Sequence, residues 1–343
     1  MKMKKKIAIL LTLIMTITVF SGCSKSNETS KTSGESVESP SKDQETTLPE
    51  NILNETETAV TYKNPLGDEV TITKNPKKVV VLMNSILDIW YLAGGEAIGR
   101  VSGSVNVPEA ANDIEQVGKV NEPSIEKILA LEPDLVILSS TRSQHVEMKD
   151  ILSSNNIECA YVDISSDPYS KFNETLKLFT MITEREDIYN TEIKKIQEEV
   201  TDICDKTKNE EQPKILILFG SSKYVKAELP CGLVGNMVEM LGANNIITGS
   251  PVEGSSKVTF SLEKIIQEDP DKIFIIPMGE IEQVKARIKE DLESNEAWAT
   301  LTAVKENNIH YLPKDLFHYK PNARYPEAFM HLAKILYPQV FEK

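Results

Sequence analysis

A fifteen-residue passage occurs twice in this chain, and nothing else in the sequence limits its fold so strongly. Ser124-Ile-Glu-Lys-Ile-Leu-Ala-Leu-Glu-Pro-Asp-Leu-Val-Ile-Leu138 aligns without gaps on Ser261-Leu-Glu-Lys-Ile-Ile-Gln-Glu-Asp-Pro-Asp-Lys-Ile-Phe-Ile275. Each copy reads as a capping serine, a short helix, a Pro-Asp turn and a buried strand. A helix with a related ending lies upstream of each, closing in Leu92-Ala93-Gly94-Gly95 and Met240-Leu241-Gly242-Ala243. One supersecondary plan used twice at long range implies two lobes rather than one large domain. The chain's 343 residues are enough for two domains of ordinary size.

The segments around the two copies agree with that plan. Ala59–Tyr62 and Val70–Thr73 flank the turn cluster Asn64–Asp68 and predict a hairpin. Strands are expected at Lys78–Leu82, Ile98–Val101, Asp134–Leu138 and Cys159–Val162. Between them lie a helix capped by Ser85, a short helix at Ile125–Leu131 and a helix at Gln144–Ser154. The alternation restarts at Lys214–Phe219 and ends in a helix over Glu327–Tyr337. Strands separated by helices pair in parallel, with helices on both faces. The stretch from about Tyr169 to Lys206 is mostly helical and breaks near Thr183–Glu186. Its second part carries Ile188, Ile196, Val200 and Ile203 at helical spacing, with no turn residue. Some twenty helical residues span about 30 Å, the diameter of a small domain. The expected fold is therefore α/β: two Rossmann-like lobes with mainly parallel central sheets, joined by a single long α-helix. The boundaries are an N-terminal lobe over 58–183, the connecting helix over 184–207 and a C-terminal lobe over 208–343.

Residues 1–22 read as an address. Lys2, Lys4, Lys5 and Lys6 precede an apolar run from Ile7 to Phe20, too short for a membrane span. The run ends in Phe20-Ser21-Gly22-Cys23, small residues before a cysteine, similar to the lipobox of bacterial lipoproteins. Cys23 is the expected lipidation site. Residues 23–57, rich in Ser, Thr, Glu and Lys, are expected to form a disordered tether. Signal, lipid cysteine, tether and globular body predict a protein on the extracytoplasmic face of a cell membrane, held by its lipid and not spanning. Cys159, Cys204 and Cys231 remain, an odd number, and no Cys/His spacing suggests a metal site. The formal net charge of −14 gives no general attraction to nucleic acid. No G-x-G-x-x-G, Walker A, G-x-S-x-G or H-E-x-x-H motif occurs, so no catalytic residue is assigned and the chain is read as a non-enzyme.

Glu126 and Glu263 sit two residues after the capping serines, where an acid favours the positive helix end by about 0.3–1 kcal/mol and needs no other task. Two such acids on matching corners of two lobes also suit a two-fold symmetric partner carrying arginines. The ordered set Val70-Thr71-Ile72, Asn75-Pro76-Lys77-Lys78-Val79-Val80-Val81-Leu82, Ile125-Glu126-Lys127-Ile128, Pro133-Asp134-Leu135-Val136-Ile137 and Lys320-Pro321-Asn322-Ala323-Arg324 resembles the helix-linked class of periplasmic binding proteins. These are the substrate-binding proteins of ABC importers for iron-siderophores, haem and cobalamin. The resemblance covers about residues 60–340. It implies a monomeric carrier whose Glu126 and Glu263 dock arginines of a dimeric permease served by an ATPase. It also implies a small-molecule metal chelate between the lobes. An iron chelate of the siderophore type is the first expectation, with haem or a corrinoid as alternatives. The protein would need no cofactor of its own, the ligand carrying Fe or Co. A lipid-anchored sensor without a transporter is the alternative of a different class.

A ligand between two α/β lobes meets loops at the carboxyl ends of the strands. That rule selects Asn84 and Ser85 after the first strand, Arg142 after Leu138, and Lys223, Tyr224 and Lys226 after Phe219. It also selects Tyr319 and Arg324 near the end. The cations suit anionic oxygens and the tyrosines suit flat ligands. Met83, His318 and Tyr319 are the candidate axial ligands if the ligand is haem. Trp90, amid apolar helical neighbours, reads as core.

Overall fold

The computed structural model describes residues 50–251 and 255–341. The expected signal segment, Cys23 and the first part of the expected tether lie outside the described residues. Residues 52–55, expected within the tether, form a strand instead. Strand β1 (Ile52–Glu55) pairs antiparallel with β2 (Ala59–Lys63), which pairs with β3 (Glu69–Thr73). Ile52 supplies the anchor, buried among Val60, Tyr62 and Ile72 in the main apolar cluster.

The N-terminal lobe then alternates as its residue pattern predicts. It runs β4 (Val79–Val81), α1 (Asn84–Leu92), β5 (Gly99–Arg100), β6 (Glu115–Gln116), a two-stranded ribbon of β7 (Gly118–Lys119) and β8 (Glu122–Pro123), α2 (Ile125–Ala130) and β9 (Leu135–Ser139). It continues through α3 (Ser143–Val146), α4 (Lys149–Ser154), β10 (Glu158–Val162) and α5 (Pro168–Ile182). The expected single helix over Gln144–Ser154 is thus two. The sheet order is β10-β9-β4-β5-β6, every pair parallel. All five residues of β9 are buried, as expected of a strand covered on both faces.

Glu184 takes a left-handed φ of 54°, which stops α5 and starts a new helical run. That run comprises α6 (Glu186–Ile188), a π-type turn over Tyr189–Ile193 and α7 (Lys194–Thr207). It is the single connection between the lobes. The C-terminal lobe follows with β11 (Lys214–Gly220), β12 (Val225–Glu228), α8 (Leu233–Met240), β13 (Asn244–Asn245), β14 (Lys257–Val258), α9 (Leu262–Glu268) and β15 (Lys272–Pro277). It ends with α10 (Ile281–Ile288), α11 (Thr302–Lys305), β16 (Ile309–Tyr311), α12 (Lys314–Phe317), α13 (Tyr325–Leu336) and α14 (Pro338–Phe341). Its parallel strands run β16-β15-β11-β13, matching β10-β9-β4-β5 of the first lobe. The lobe departs from the plan at one edge, where β12 and β14 add antiparallel pairing.

The repeated passages do the same job in each lobe. Ser124 and Ser261 accept the backbone N–H of Lys127 and Lys264, at 3.3 and 3.4 Å, as N-caps of α2 and α9. Asp134 accepts from the N–H groups of Lys77 and Lys78, at 2.8 and 3.0 Å, and so pins the start of β4. Asp271 accepts from the N–H of Lys214 at 2.7 Å and pins the start of β11. The expected Ser85 cap does not form: α1 begins at Asn84, Met83 holds the N-cap position without a side-chain bond, and Ser85 lies inside the first turn.

The connecting helix is not the whole link. One apolar cluster runs from Val79, Trp90 and Phe179 in the first lobe to Ile217, Met237 and Phe329 in the second. Tyr169 and Phe172 of α5 pack on Tyr325 of α13, with ring centroids 5.0 and 5.1 Å apart. Trp90 belongs to this core and donates its indole N–H to the Glu96 carbonyl at 2.9 Å. Cys159, Cys204 and Cys231 are all free thiols, and burial pushes the first two up to about 11.

Candidate ligand-binding cleft

In a parallel α/β lobe the loops that can meet a ligand leave the carboxyl ends of the strands. Here those loops from the two lobes face each other across a cleft of about 630 Å³. The first lobe contributes Met83, Asn84 and Ser85 after β4, Val101 to Asn106 after β5, and Arg142 after β9. The second contributes Phe219 at the end of β11, Glu228 at the end of β12, Lys257 on β14 and the run Phe317 to Lys320.

Buried charge holds these walls in place. Arg100 lies 4% exposed beneath the Val101–Asn106 loop. Its guanidinium donates to the carbonyls of Val101, Gly103, Ala111 and Asn112 at 2.8–3.1 Å. The loop is therefore shaped from below by one side chain. His145 does the same for the Arg142 turn. Its Nδ1 accepts from the Ser139 N–H at 3.1 Å, so Nε2 carries the proton and donates to the Val120 carbonyl at 2.9 Å. Burial pushes this imidazole below its ordinary range, in keeping with a neutral ring.

On the opposite wall Glu228 is 2% exposed. Its Oε1 accepts from the N–H groups of Val234 and Gly235 at the start of α8, at 2.8 and 3.2 Å. Gly232 makes this possible, since a Cβ there would stand 2.4 Å from the Glu228 side chain. The other carboxylate oxygen lies 3.5 Å from Lys257 Nζ. Lys257 Nζ also sits 4.7 Å from the Phe219 ring centroid. Lys320 has neither an ion-pair nor a hydrogen-bond partner for its ammonium among the described residues. Burial pushes that ammonium down to about 8.

Two strands of polar contact cross from one lobe to the other beside the cleft. Asn106 Nδ2 donates to the Lys320 carbonyl at 2.7 Å. Asn322, 1% exposed, donates to the Ser85 carbonyl at 2.9 Å and to Asp88 Oδ2 at 2.7 Å. Further out, Asn236 of α8 donates to Asp167 ahead of α5 at 2.9 Å.

Of the residues selected from sequence, the cleft gathers Asn84, Ser85, Arg142 and Tyr319. Four others are placed elsewhere and are corrected here. Arg324 is tied to Glu327 at 2.7 Å and to Asp315 at 2.9 Å, binding α12 to α13 away from the cleft. Those two carboxylates hold its guanidinium well above its ordinary range. Lys223 and Tyr224 are exposed in the turn closed by Ser221, and Lys226 lies on β12 with its ammonium 5.4 Å from the Tyr224 ring. None of the three lines the cleft. Sequence reading missed Glu228, Lys257 and Asn106, and did not single out Lys320 within the stretch from Phe317 to Arg324 that it placed at the cleft. The only signal for Lys320 was its place in the Lys-Pro-Asn-Ala-Arg stretch. Glu126 and Glu263 are exposed in the first turns of α2 and α9. Helices that run back between parallel strands start at the strands' carboxyl ends. Both acids therefore stand at the cleft-side end of their lobes.

Four buried polar atoms of this cleft find no partner within the protein: Asn84 Oδ1, Ser85 Oγ, Arg142 Nε and His318 Nδ1. A polar, cationic cleft with unmet hydrogen-bonding capacity is chemistry for a bound ligand. No group of three or more metal-ligating side chains occurs among the described residues. A second cavity, about 520 Å³, lies wholly in the first lobe, where its Lys171 is already paired with Glu174 at 2.7 Å.

Two lobes built on one plan, a helical connection and a ligand cleft at the facing strand ends define a bilobal binding protein. The chain belongs to the periplasmic binding protein family, whose model matches residues 79–316. It is 26% identical over 293 residues to the ABC transporter substrate-binding lipoprotein YvrC of Bacillus subtilis, covering 83% of this chain and 87% of the relative. Its fold superposes on Staphylococcus aureus IsdE complexed with heme with a TM-score of 0.65 at 21% identity, covering 76% of this chain and 98% of that one. It superposes on the petrobactin-binding protein YclQ of Bacillus subtilis with a TM-score of 0.62 at 20% identity, covering 84% of this chain and all of that one. The relatives named here are binding and transport proteins.

Proposed function

We propose that this chain is the lipid-anchored, extracytoplasmic substrate-binding component of an ABC importer, and that its cargo is an anionic iron chelate of the siderophore type. The observation that carries the cargo reading is the charge of the cleft. Arg142, Lys257 and Lys320 face it with Glu228 as the sole carboxylate among the described residues that line it, in a chain whose net charge is −14. Guanidinium and ammonium groups suit carboxylate and catecholate oxygens. The names of the relatives, a petrobactin binder and a heme uptake protein, support an iron-bearing cargo. Cys23 would carry the lipid. Exposed Glu126 and Glu263 would meet arginines on the two halves of a permease driven by its ATPase.

Haem is the second reading, favoured by Met83 and His318 on opposite walls of the cleft, with His318 Nδ1 buried and unpartnered. The test is protein purified from its own host and examined by native mass spectrometry and visible absorption. A ferric charge-transfer band with a chelate mass supports the first reading. A Soret band replaces it with haem, and a corrin spectrum with a corrinoid.

A further inference from the structure

The three cations of the cleft are not equivalent. Lys257 is matched by Glu228 at 3.5 Å, and that carboxylate is fixed by the first N–H groups of α8. The pair is built in and close to neutral as a unit. Arg142 and Lys320 are different. Neither side chain makes an ion pair among the described residues, and Arg142 Nε is buried without a partner. The two stand on opposite sides. Arg142 belongs to the first lobe, where the His145 turn positions it. Lys320 belongs to the second, and its backbone is held on the seam by Asn106 at 2.7 Å. Both side chains are half-buried; an unpaired cation partly withdrawn from water carries a cost that an anionic ligand group relieves.

We propose that Arg142 and Lys320 form a two-sided charge reader, so that the cargo is at least dianionic and presents anionic oxygens to both lobes at once. This deepens the proposed iron-chelate reading and rests on it. Glu228 acts as a positioning residue that removes Lys257 from the count. A chelate with carboxylates at separated ends satisfies both cations. A neutral chelate of equal size leaves both unmet. Haem carries two carboxylates and shares the chemistry, so the probes must separate the two sources.

The experiment is titration of the purified full-length protein, wild type and variants, with ferric citrate, haemin and a neutral ferric trihydroxamate. Arg142→Met and Lys320→Met keep side-chain length and remove charge. The Asn106 contact is to the Lys320 backbone and survives the substitution. Unchanged melting temperatures confirm folding. The expected result is that wild type binds ferric citrate in preference to both haemin and the trihydroxamate; preference for haemin overturns the siderophore reading in favour of haem. Each methionine variant should then lose about tenfold or more in affinity for ferric citrate, the size of one charge-assisted hydrogen bond. Lys320→Arg should restore most of the loss. If both methionine variants bind the anionic probe as wild type does, the charge reader is overturned while the iron-chelate reading stands. Loss in one variant alone overturns the two-sided arrangement, and preference for the trihydroxamate overturns the charge requirement. Binding of none of the three probes overturns the iron-chelate reading, and the inference falls with it.

Discussion

Single side chains divide here into those that hold the lobes and those that serve an outside partner. Asp134 and Asp271 belong to the first kind. Asp134 accepts two backbone N–H groups at the start of β4 and Asp271 accepts one at the start of β11. Asp134→Ala and Asp271→Ala should each lower stability by about 1 kcal/mol, toward the low end for a bond to a charged group because these sites are exposed. Chemical denaturation would read it, and ligand affinity should be unchanged. On the proposed function Glu126 and Glu263 belong to the second kind; neither has a salt-bridge partner among the described residues. Glu126→Ala and Glu263→Ala should leave ligand affinity intact and reduce stability only by about 0.3–1 kcal/mol each. Uptake at matched expression should fall in each and fall furthest in the double variant, because truncating one partner of a desolvated charge pair costs roughly 2–5 kcal/mol. Wild-type uptake by the double variant would reduce both residues to helix-end acids. The same contrast explains what sequence could show. The serine caps and Pro-Asp turns were legible because their partners lie within one supersecondary unit. Arg324 was misplaced because its partner Asp315 comes from a neighbouring helix. Lys320 was not singled out because its surroundings come from Glu228, Lys257 and Asp163, far apart in the chain.

Elements long enough to show a period were readable, and short ones were not. The long central strands of the two parallel sheets are apolar over several residues, and the sequence places β4, β9, β10, β11 and β15 within a residue or two, whereas β5, β6 and β13 are two residues each. By contrast β12 spans four residues, Val225-Lys226-Ala227-Glu228, half-buried then buried. Its charges disguised it as a ligand loop, and with it went Lys226. β1 was hidden in a polar stretch whose single apolar anchor is Ile52. Its pairing with β2 puts Ile52 in the N-terminal lobe, so a lipid on Cys23 would leave fewer than thirty residues between the anchor and that strand. Cys23→Ala should release the protein from membranes while ligand binding by the soluble form stays at the wild-type level. Cell fractionation followed by titration would measure both. Retention of full-length variant in the membrane fraction would show that residues 7–20 hold it instead.

Seen whole, the molecule is two copies of one plan fastened along a shared seam. The expected helical connection is present as α6, the π-type turn and α7, and the structure adds a common apolar core and the ties of Asn106, Asn236 and Asn322. A hinge needs a few residues able to absorb large backbone rotations. Here a helix and packed aromatic side chains cross the seam instead. X-ray scattering curves with and without bound ligand should therefore nearly superpose. A clear fall in the radius of gyration on loading would contradict the rigid seam. Replacing both Asn106 and Asn322 by alanine should widen the distribution of lobe separations measured by paired spin labels.

The ties at Asn322 and Asn106 carry a consequence for traffic at the membrane. A carrier that hardly alters its outline on loading gives a transporter little by which to tell full from empty. The acids at Glu126 and Glu263 would be displayed at much the same spacing in both states. Empty carriers would then queue at the same door as laden ones, and import would slow when carrier outnumbers cargo. For a cell short of iron, the useful number of these proteins would have a ceiling set by how often the wrong one is waiting.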